Sequence, residues 1–346
     1  MRTLFIVIAI FLAQQLTAQS PAKAFDIPIF AYHRFGDDRF PSTNTSLDVF
    51  EKQLKYLKEN NFEVLGFGEA IDRWQSGKTL PEKAVILTID DGYLSFYENG
   101  WPLLKKFGYP ATIFIQTETI GGNDFMSWDQ IREIQKAGIE IGNHSHSHAY
   151  FLNMPKNERN DAFKKDVEKA TQLYKAHLDE APDIFAYPFG EYTAEMEDIL
   201  GKLDFKASAV QQSGVFSEQS NPYAIPRFPM GGPFGTLNGF INKSTMKALH
   251  VSGTEPSTPF FTKNPPRLKI EIVHGHVNIE SCQFFLQGEK MKISKISSDA
   301  DPPFVILEPS RRLTARRTLY TLTAPSLDGS GWHWYSYLWV NPEVSE

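Results

Sequence analysis

With 346 residues, 41% of them apolar and 22% charged, the chain can bury one large core or a large core and a small one. A formal charge of −6 with scattered Lys and Arg argues against a nucleic-acid footprint or a polybasic membrane patch, so no nucleic-acid partner is expected. The single cysteine, Cys282, leaves no internal disulfide, and its apolar surroundings predict a buried, inert thiol.

Residues 1–18 have the form of a secretory signal: Arg2, an apolar run over Leu4–Ala13, and a Leu16-Thr17-Ala18 cleavage site. The run is short for a membrane span, and no later stretch could cross a bilayer. The mature chain is therefore expected to be exported, to the periplasm or the exterior.

Ile27–His33 reads as a first strand ending in a histidine. Ser46–Asn60 reads as a helix capped by Ser46, with Phe50, Leu54 and Leu57 on one face. A strand at Glu63–Gly66 and a helix at Glu69–Gln75 follow. Ala84–Gly92 (AVILTIDDG) is a strand buried on both faces that ends in two carboxylates, Asp90 and Asp91, before Gly92 turns the chain. A helix over Leu94–Phe107 and the apolar run Ala111–Ile115 come next. Ser127 and Gln130 form a capping box for a helix to Lys136, with a Met126–Ile131 staple and a stop at Gly138. Gly138–Asn143 is a strand leading into HSHSH (His144–His148). Then come a helix over Asn157–His177, a strand over Asp183–Tyr187, a helix over Ala194–Lys202, and strands over Ala207–Val210 and Ala224–Phe228.

Strand and helix alternate, which predicts an α/β fold with a parallel sheet: a distorted, incomplete (β/α) barrel over residues 19–252. Clustered prolines over 253–266 read as a linker. Over 267–346 the helical period is lost, and short strands at Leu268–Val273, Gln283–Leu286, Phe304–Leu307, Thr318–Thr323 and Trp332–Val340 predict a small antiparallel β-sandwich domain. In the last strand Trp332 and Trp334 share one face, while Tyr335, Tyr337 and Trp339 share the other; core packing and docking on the barrel are expected ahead of sugar stacking. His274 and His276 alternate on a strand without an acidic partner in view and are read as structural.

Charged and polar residues collect at strand exits: His33, Asp90, Asp91, His144, His148 and Arg227. In a parallel barrel these exits open on one rim. Two carboxylates at the end of a buried strand repel each other and lose hydration, so they need a cation or a shared proton. If the chain turns helically after Asn143, His144 and His148 share a face and, with one carboxylate, make a His-His-Asp metal site. If HSHSH stays extended, His144, His146 and His148 share a face as a three-His site. Spacing leaves both open.

These residues resemble the polysaccharide deacetylases (NodB-homology domains, carbohydrate esterase family four). TIDDG (Thr88–Gly92) resembles the family's first motif, GNHSHSH (Gly142–His148) its His-Ser/Thr-x-x-His motif, and FAYPFG (Phe185–Gly190) its third. MSWDQIREI (Met126–Ile134) and the IPIFAYH start are similar to the branch that deacetylates poly-N-acetylglucosamine. The resemblance implies a divalent ion, zinc first, with cobalt, nickel or iron also suited, on Asp91, His144 and His148. It implies Asp90 as general base, His33 as general acid and the backbone N–H of Phe189 as oxyanion donor. His146 takes a position usually aromatic and receives no ligand role. The family's third-motif arginine is replaced here by Ala186, and Arg227 is expected to supply its charge beside Asp90.

The implied activity is a hydrolase releasing acetate from an N-acetylglucosamine-containing glycan: poly-N-acetylglucosamine, peptidoglycan or a chitin-like chain. A catalytically silent glycan-binding module of the same fold and a metal-dependent esterase or amidase on other acetylated substrates are the rivals.

Overall fold

The computed structural model describes residues 24–345; the expected signal segment lies outside them. A nine-stranded sheet forms the larger body. Its order is Val215–Ser217, Asp26–Tyr32, Ala84–Asp91, Thr112–Ile115, Glu140–Asn143, Ile184–Ala186 and Ala207–Ala209; Glu63–Leu65 adds to Ala84–Asp91, and Phe228–Pro229 adds to Asp26–Tyr32. All pairings are parallel except that of Val215–Ser217 with the first strand. The sheet curls, and an isolated bridge from Ala209 to Ile225 carries the far edge back toward Phe228 and the first strand. The architecture is thus the distorted, incomplete α/β barrel expected.

The pleat sorts the strand residues. On Ala84–Asp91, Val85, Leu87 and Ile89 face the helices, in a cluster with Phe50, Leu54 and Ile131. Ile86 faces the interior with Ile27, Ile29, Phe114, Ala186 and Ala209. The helices form for the reasons legible in sequence. Ser46 caps Leu47–Glu59 through its hydroxyl, and Ser127 and Gln130 make a reciprocal capping box on Trp128–Lys136 with Met126 and Ile131 buried together.

Two elements depart from expectation. The helix after the acidic strand is split into a wide turn over Phe96–Gly100 and an α-helix over Trp101–Phe107. Pro102 has no N–H to continue an α-helical ladder, which favours the local change of pitch. The strand expected over Ala224–Phe228 is reduced to Phe228–Pro229, because Pro226 cannot donate to a ladder and Arg227 N bonds Gln212 O instead.

Beyond the barrel lie two sheets. A five-stranded one runs Lys247–Ala248, Trp332–Val340, Arg317–Pro325, Gln283–Leu286, Glu289–Met291; a four-stranded one runs Val251–Glu255, Leu268–Ile272, Phe304–Leu307, Lys295–Ser297. Pairing is antiparallel but for Lys247–Ala248 on Trp332–Val340. Strand pairing therefore reaches Glu255, three residues into the segment expected as a linker. Phe284, Leu286, Tyr320, Leu322, Tyr337 and Trp339 fill the space between the sheets. On the opposite face of the five-stranded sheet, Leu338, Val340 and Leu319 pack on Phe151, Phe163 and Tyr187 of the barrel, and Trp334 meets the Phe228 ring edge-on at 5.3 Å. His274 and His276 lie in a turn rather than on a strand, and His274 does have an acidic neighbour, Asp301, at 3.1 Å. Gly275, with φ 92, breaks the extended run between them. Cys282 is half-buried, and burial pushes its thiol up to about 12.

Candidate functional site

Strand register brings the distant residues together. Tyr32 pairs with Ile89, so His33 and Asp90 leave their strands side by side. Both continue the inward-facing set of the pleat, His33 after Ile27, Ile29 and Ala31, and Asp90 after Ile86 and Thr88. His33 Nε2 lies 3.9 Å from Asp90 Oδ2. Alternation alone would send Asp91 outward. Its φ of 76 breaks the alternation and keeps its carboxylate at the rim. Gly92, with φ 82, completes the turn; a Cβ there would stand 2.8 Å from Ile115 Cγ2.

HSHSH is neither helical nor extended. It is a tight turn with Ser145 and His148 at positive φ. Asn143 Oδ1 accepts from Ser145 N at 2.8 Å, Ser145 Oγ from His148 N at 3.1 Å, and Asp166 Oδ1 from His146 N at 2.7 Å. The turn aims His144 and His148 at Asp91, whose Oδ1 lies 3.4 and 3.3 Å from their Nε2 atoms. His146 turns away, its Nδ1 2.9 Å from Thr117 Oγ1, so the three-His arrangement does not form.

Asp91, His144 and His148 each offer a ligand atom within 4.8 Å of the others. Among the described residues, Asp91 Oδ1 and both histidine Nε2 atoms are buried without a hydrogen-bond partner. Three such atoms converging on one point carry a desolvation cost that a cation relieves. The donor set fits a divalent ion: one carboxylate oxygen and two imidazole nitrogens. His144 Nδ1 is 2.7 Å from Ala186 O, which fixes the tautomer and leaves Nε2 free to ligate. Burial, with the neighbouring His144, draws His148 down to about 4, so its imidazole is neutral at ordinary pH.

Asp90 is fully buried and so is Arg227. Arg227 Nη1 donates to Asp90 Oδ1 at 2.7 Å and Nη2 to Oδ2 at 2.8 Å. The same guanidinium donates from Nη1 to Thr88 Oγ1 and from Nε to Val210 O. Burial works against ionisation of Asp90; the Arg227 charge, followed by those of His144 and His33, outweighs it and holds the carboxyl below its ordinary range.

Phe189 sits in the turn Pro188–Gly190 with φ 59, stacked on Tyr150 at 3.7 Å between ring centres and in edge contact with His148. Gly190 makes this turn possible: it has φ 68, and a Cβ there would lie 2.3 Å from Gln211 N. The turn is gripped from the five-stranded sheet. Arg317 Nη1 donates to Phe189 O, and buried Arg316 makes two 2.7 Å bonds to Glu191.

Sequence reasoning missed Asp166, Tyr150, Gln211 and Arg316. Asp166 lies inside a long polar helix and the others in unpatterned stretches, so none carries a local signal.

Residues 77–208 match the family model described as polysaccharide deacetylase. The chain is 28% identical over 218 residues to the poly-beta-1,6-N-acetyl-D-glucosamine N-deacetylase of Staphylococcus aureus, covering 59% of this chain and 74% of the relative. It is 26% identical over 257 residues to the Escherichia coli protein of the same name, covering 62% of this chain and 38% of that longer relative. Among solved structures, IcaB from Ammonifex degensii aligns with TM-score 0.53 and 28% identity over 58% of this chain and 90% of that one.

Proposed function

We propose that this chain, whose residues 77–208 match the polysaccharide deacetylase family model, is a metal-dependent hydrolase removing acetyl groups from an N-acetylglucosamine polymer. The single observation that carries this reading is the trio of partnerless buried atoms on Asp91, His144 and His148 with a non-ligating carboxylate, Asp90, beside it. Relatives named as poly-N-acetylglucosamine deacetylases favour that polymer over peptidoglycan or chitin.

The chemistry needs a strong nucleophile and an activated amide, both of which water and an acetamido group lack at neutral pH. A divalent ion on Asp91, His144 and His148 supplies Lewis acidity when bound, polarising the acetyl carbonyl and acidifying water. Asp90, held ionised by Arg227 and not among the three ligands, takes the proton of the attacking water. The Phe189 N–H is assigned the role of donor to the developing oxyanion. His33, across from Asp90, donates a proton to the departing nitrogen, which cannot leave as an anion. The products are acetate and a glucosamine unit.

The test is acetate release by the zinc-loaded protein from β-1,6-linked poly-N-acetylglucosamine, peptidoglycan and chitin oligomers. Release from the first at the highest kcat/KM is expected. No release from any of them, with the metal bound, overturns the reading.

A further inference from the structure

The barrel rim and the five-stranded sheet enclose a groove of about 1050 Å³. At one end its wall includes Phe189 and Gln211. Phe189 touches His148, and Gln211 Nε2 stands 3.5 Å from His33 Nε2, so the groove opens directly from the candidate site. Its floor is the face of the five-stranded sheet that does not contribute to the core between the sheets. Register places Gln283 beside Thr323, Phe285 beside Thr321, Thr323 beside Trp334, and Pro325 beside Trp332. By the pleat, amides, hydroxyls and aromatic rings thus share one surface. Phe234 forms part of the opposite wall.

Two large apolar side chains left open to solvent, Phe234 at 52% and Trp332 at 37%, both line this groove. Exposed rings on a concave surface mark a binding face. Among the described residues, no carboxylate lines it. Arg316 is engaged with Glu191 and Arg317 with Phe189 O, and Lys243 lies over the Phe228 and Phe234 rings. Flat rings flanked by amide and hydroxyl groups, without acidic groups, suit an uncharged, acetylated sugar chain and disfavour its cationic deacetylated product. The volume is at the upper end of what holds a drug-sized ligand, which is room for more than one sugar unit.

We propose that this groove binds the non-reacting units of the N-acetylglucosamine polymer whose acetyl group is presented to Asp90, making the C-terminal sheet part of the substrate site. The proposal rests on the deacetylase reading for the identity of the occupant. It makes chain length a determinant of turnover: remote units held on Trp332 and Phe285 hold the reacting unit at the rim.

The experiment compares the unaltered protein with Trp332→Ala, Phe285→Ala and Trp332→Phe. Acetylated hexamers and dimers of β-1,6- and β-1,4-linked glucosamine serve as substrates, and each variant is first checked for an unaltered thermal midpoint. The hexamer-to-dimer ratio of kcat/KM is expected to fall roughly tenfold in the alanine variants and to return in Trp332→Phe. Calorimetric titration in an Asp90→Asn background is expected to show the same loss of hexamer affinity, and weaker binding of the fully deacetylated hexamer. Trp332 is exposed, so its truncation tests the groove even if Phe285→Ala fails to fold. An unchanged ratio and unchanged affinity, with acetate still released, overturn the groove alone. Loss of hexamer affinity in Trp332→Ala, in a protein that releases no acetate, supports the groove and overturns the deacetylase reading.

Discussion

Arg227 and Asp90 meet as a fully buried, two-bonded pair, 137 residues apart in sequence, with N–O distances of 2.7 and 2.8 Å. Neither is tolerable alone at that depth. Replacing Arg227 by Ala leaves an uncompensated carboxylate, and a loss of about 3–5 kcal/mol is expected in urea unfolding. The sign of the pH effect follows. Asp90 has a lowered carboxyl pKa in the folded protein, so the pair contributes stability above the unfolded value of 3.8 and loses it as pH falls through the folded value. In Arg227→Ala burial acts unopposed by the guanidinium, the carboxyl rises, and the acidic limb of the pH–rate profile moves to higher pH. A limb that stays in place contradicts the tuning role.

Asp90→Asn and His148→Ala separate base from ligand. The first is expected to retain metal by elemental analysis while losing about 10²–10⁴ in kcat. The second is expected to lose the metal itself, and activity with it. Equal loss of metal in both variants contradicts the division of labour between the two adjacent aspartates.

For His33, the leaving group is the discriminating variable. His33→Gln is expected to lose about 10²–10⁴ in kcat/KM on an acetamido sugar, because the departing nitrogen needs a proton. On an aryl acetate, whose phenolate leaves unaided, the loss should be much smaller. Equal losses on both substrates point to a role for His33 in holding the strand end.

Chelation should abolish acetate release, and added zinc should restore it together with a rise in thermal midpoint, since an ion that binds only the folded site stabilises it. The required ligand forms are deprotonated, so affinity falls as pH is lowered. Calorimetry between pH 5 and 8 checks this.

Away from the site, burial raises the Glu197 carboxyl to about 7 despite a hydrogen bond from Asn221. A raised carboxyl binds its proton more tightly folded than unfolded. Stability contributed by the protonated form is therefore present below about 4.5 and lost as pH rises to about 7. Glu197→Gln should flatten that part of the pH dependence of the thermal midpoint, raising it at pH 8 relative to the unaltered protein.

The barrel was legible because its strands are continuous apolar runs and its helices carry caps that act locally. Placement of Asp90 and His33 at one rim follows from pleat parity along two readable strands. What sequence could not give was the backbone that breaks parity. Asp91 stays at the rim through a positive φ, and HSHSH folds as a turn held by Asn143, Ser145 and Asp166. Neither the helical nor the extended pattern describes it. Arg227 was expected beside Asp90 from the need to replace a missing charge, though the strand drawn around it shrank to two residues. The segment after Gly253 misled because its prolines hide a strand whose pairing partner, Leu268–Ile272, lies on the far side of them.

The Arg316–Glu191 bond spans the boundary between the barrel and the strands that follow it. Cutting the chain near residue 252 would strip Glu191 of its counter-charge and the Phe189 carbonyl of Arg317, unfastening the turn at the mouth. The two bodies are therefore expected to travel as one unit: a truncated barrel is a poor stand-in for the whole protein, and an exchange of C-terminal strands between relatives must carry this arginine pair along to keep the mouth in shape.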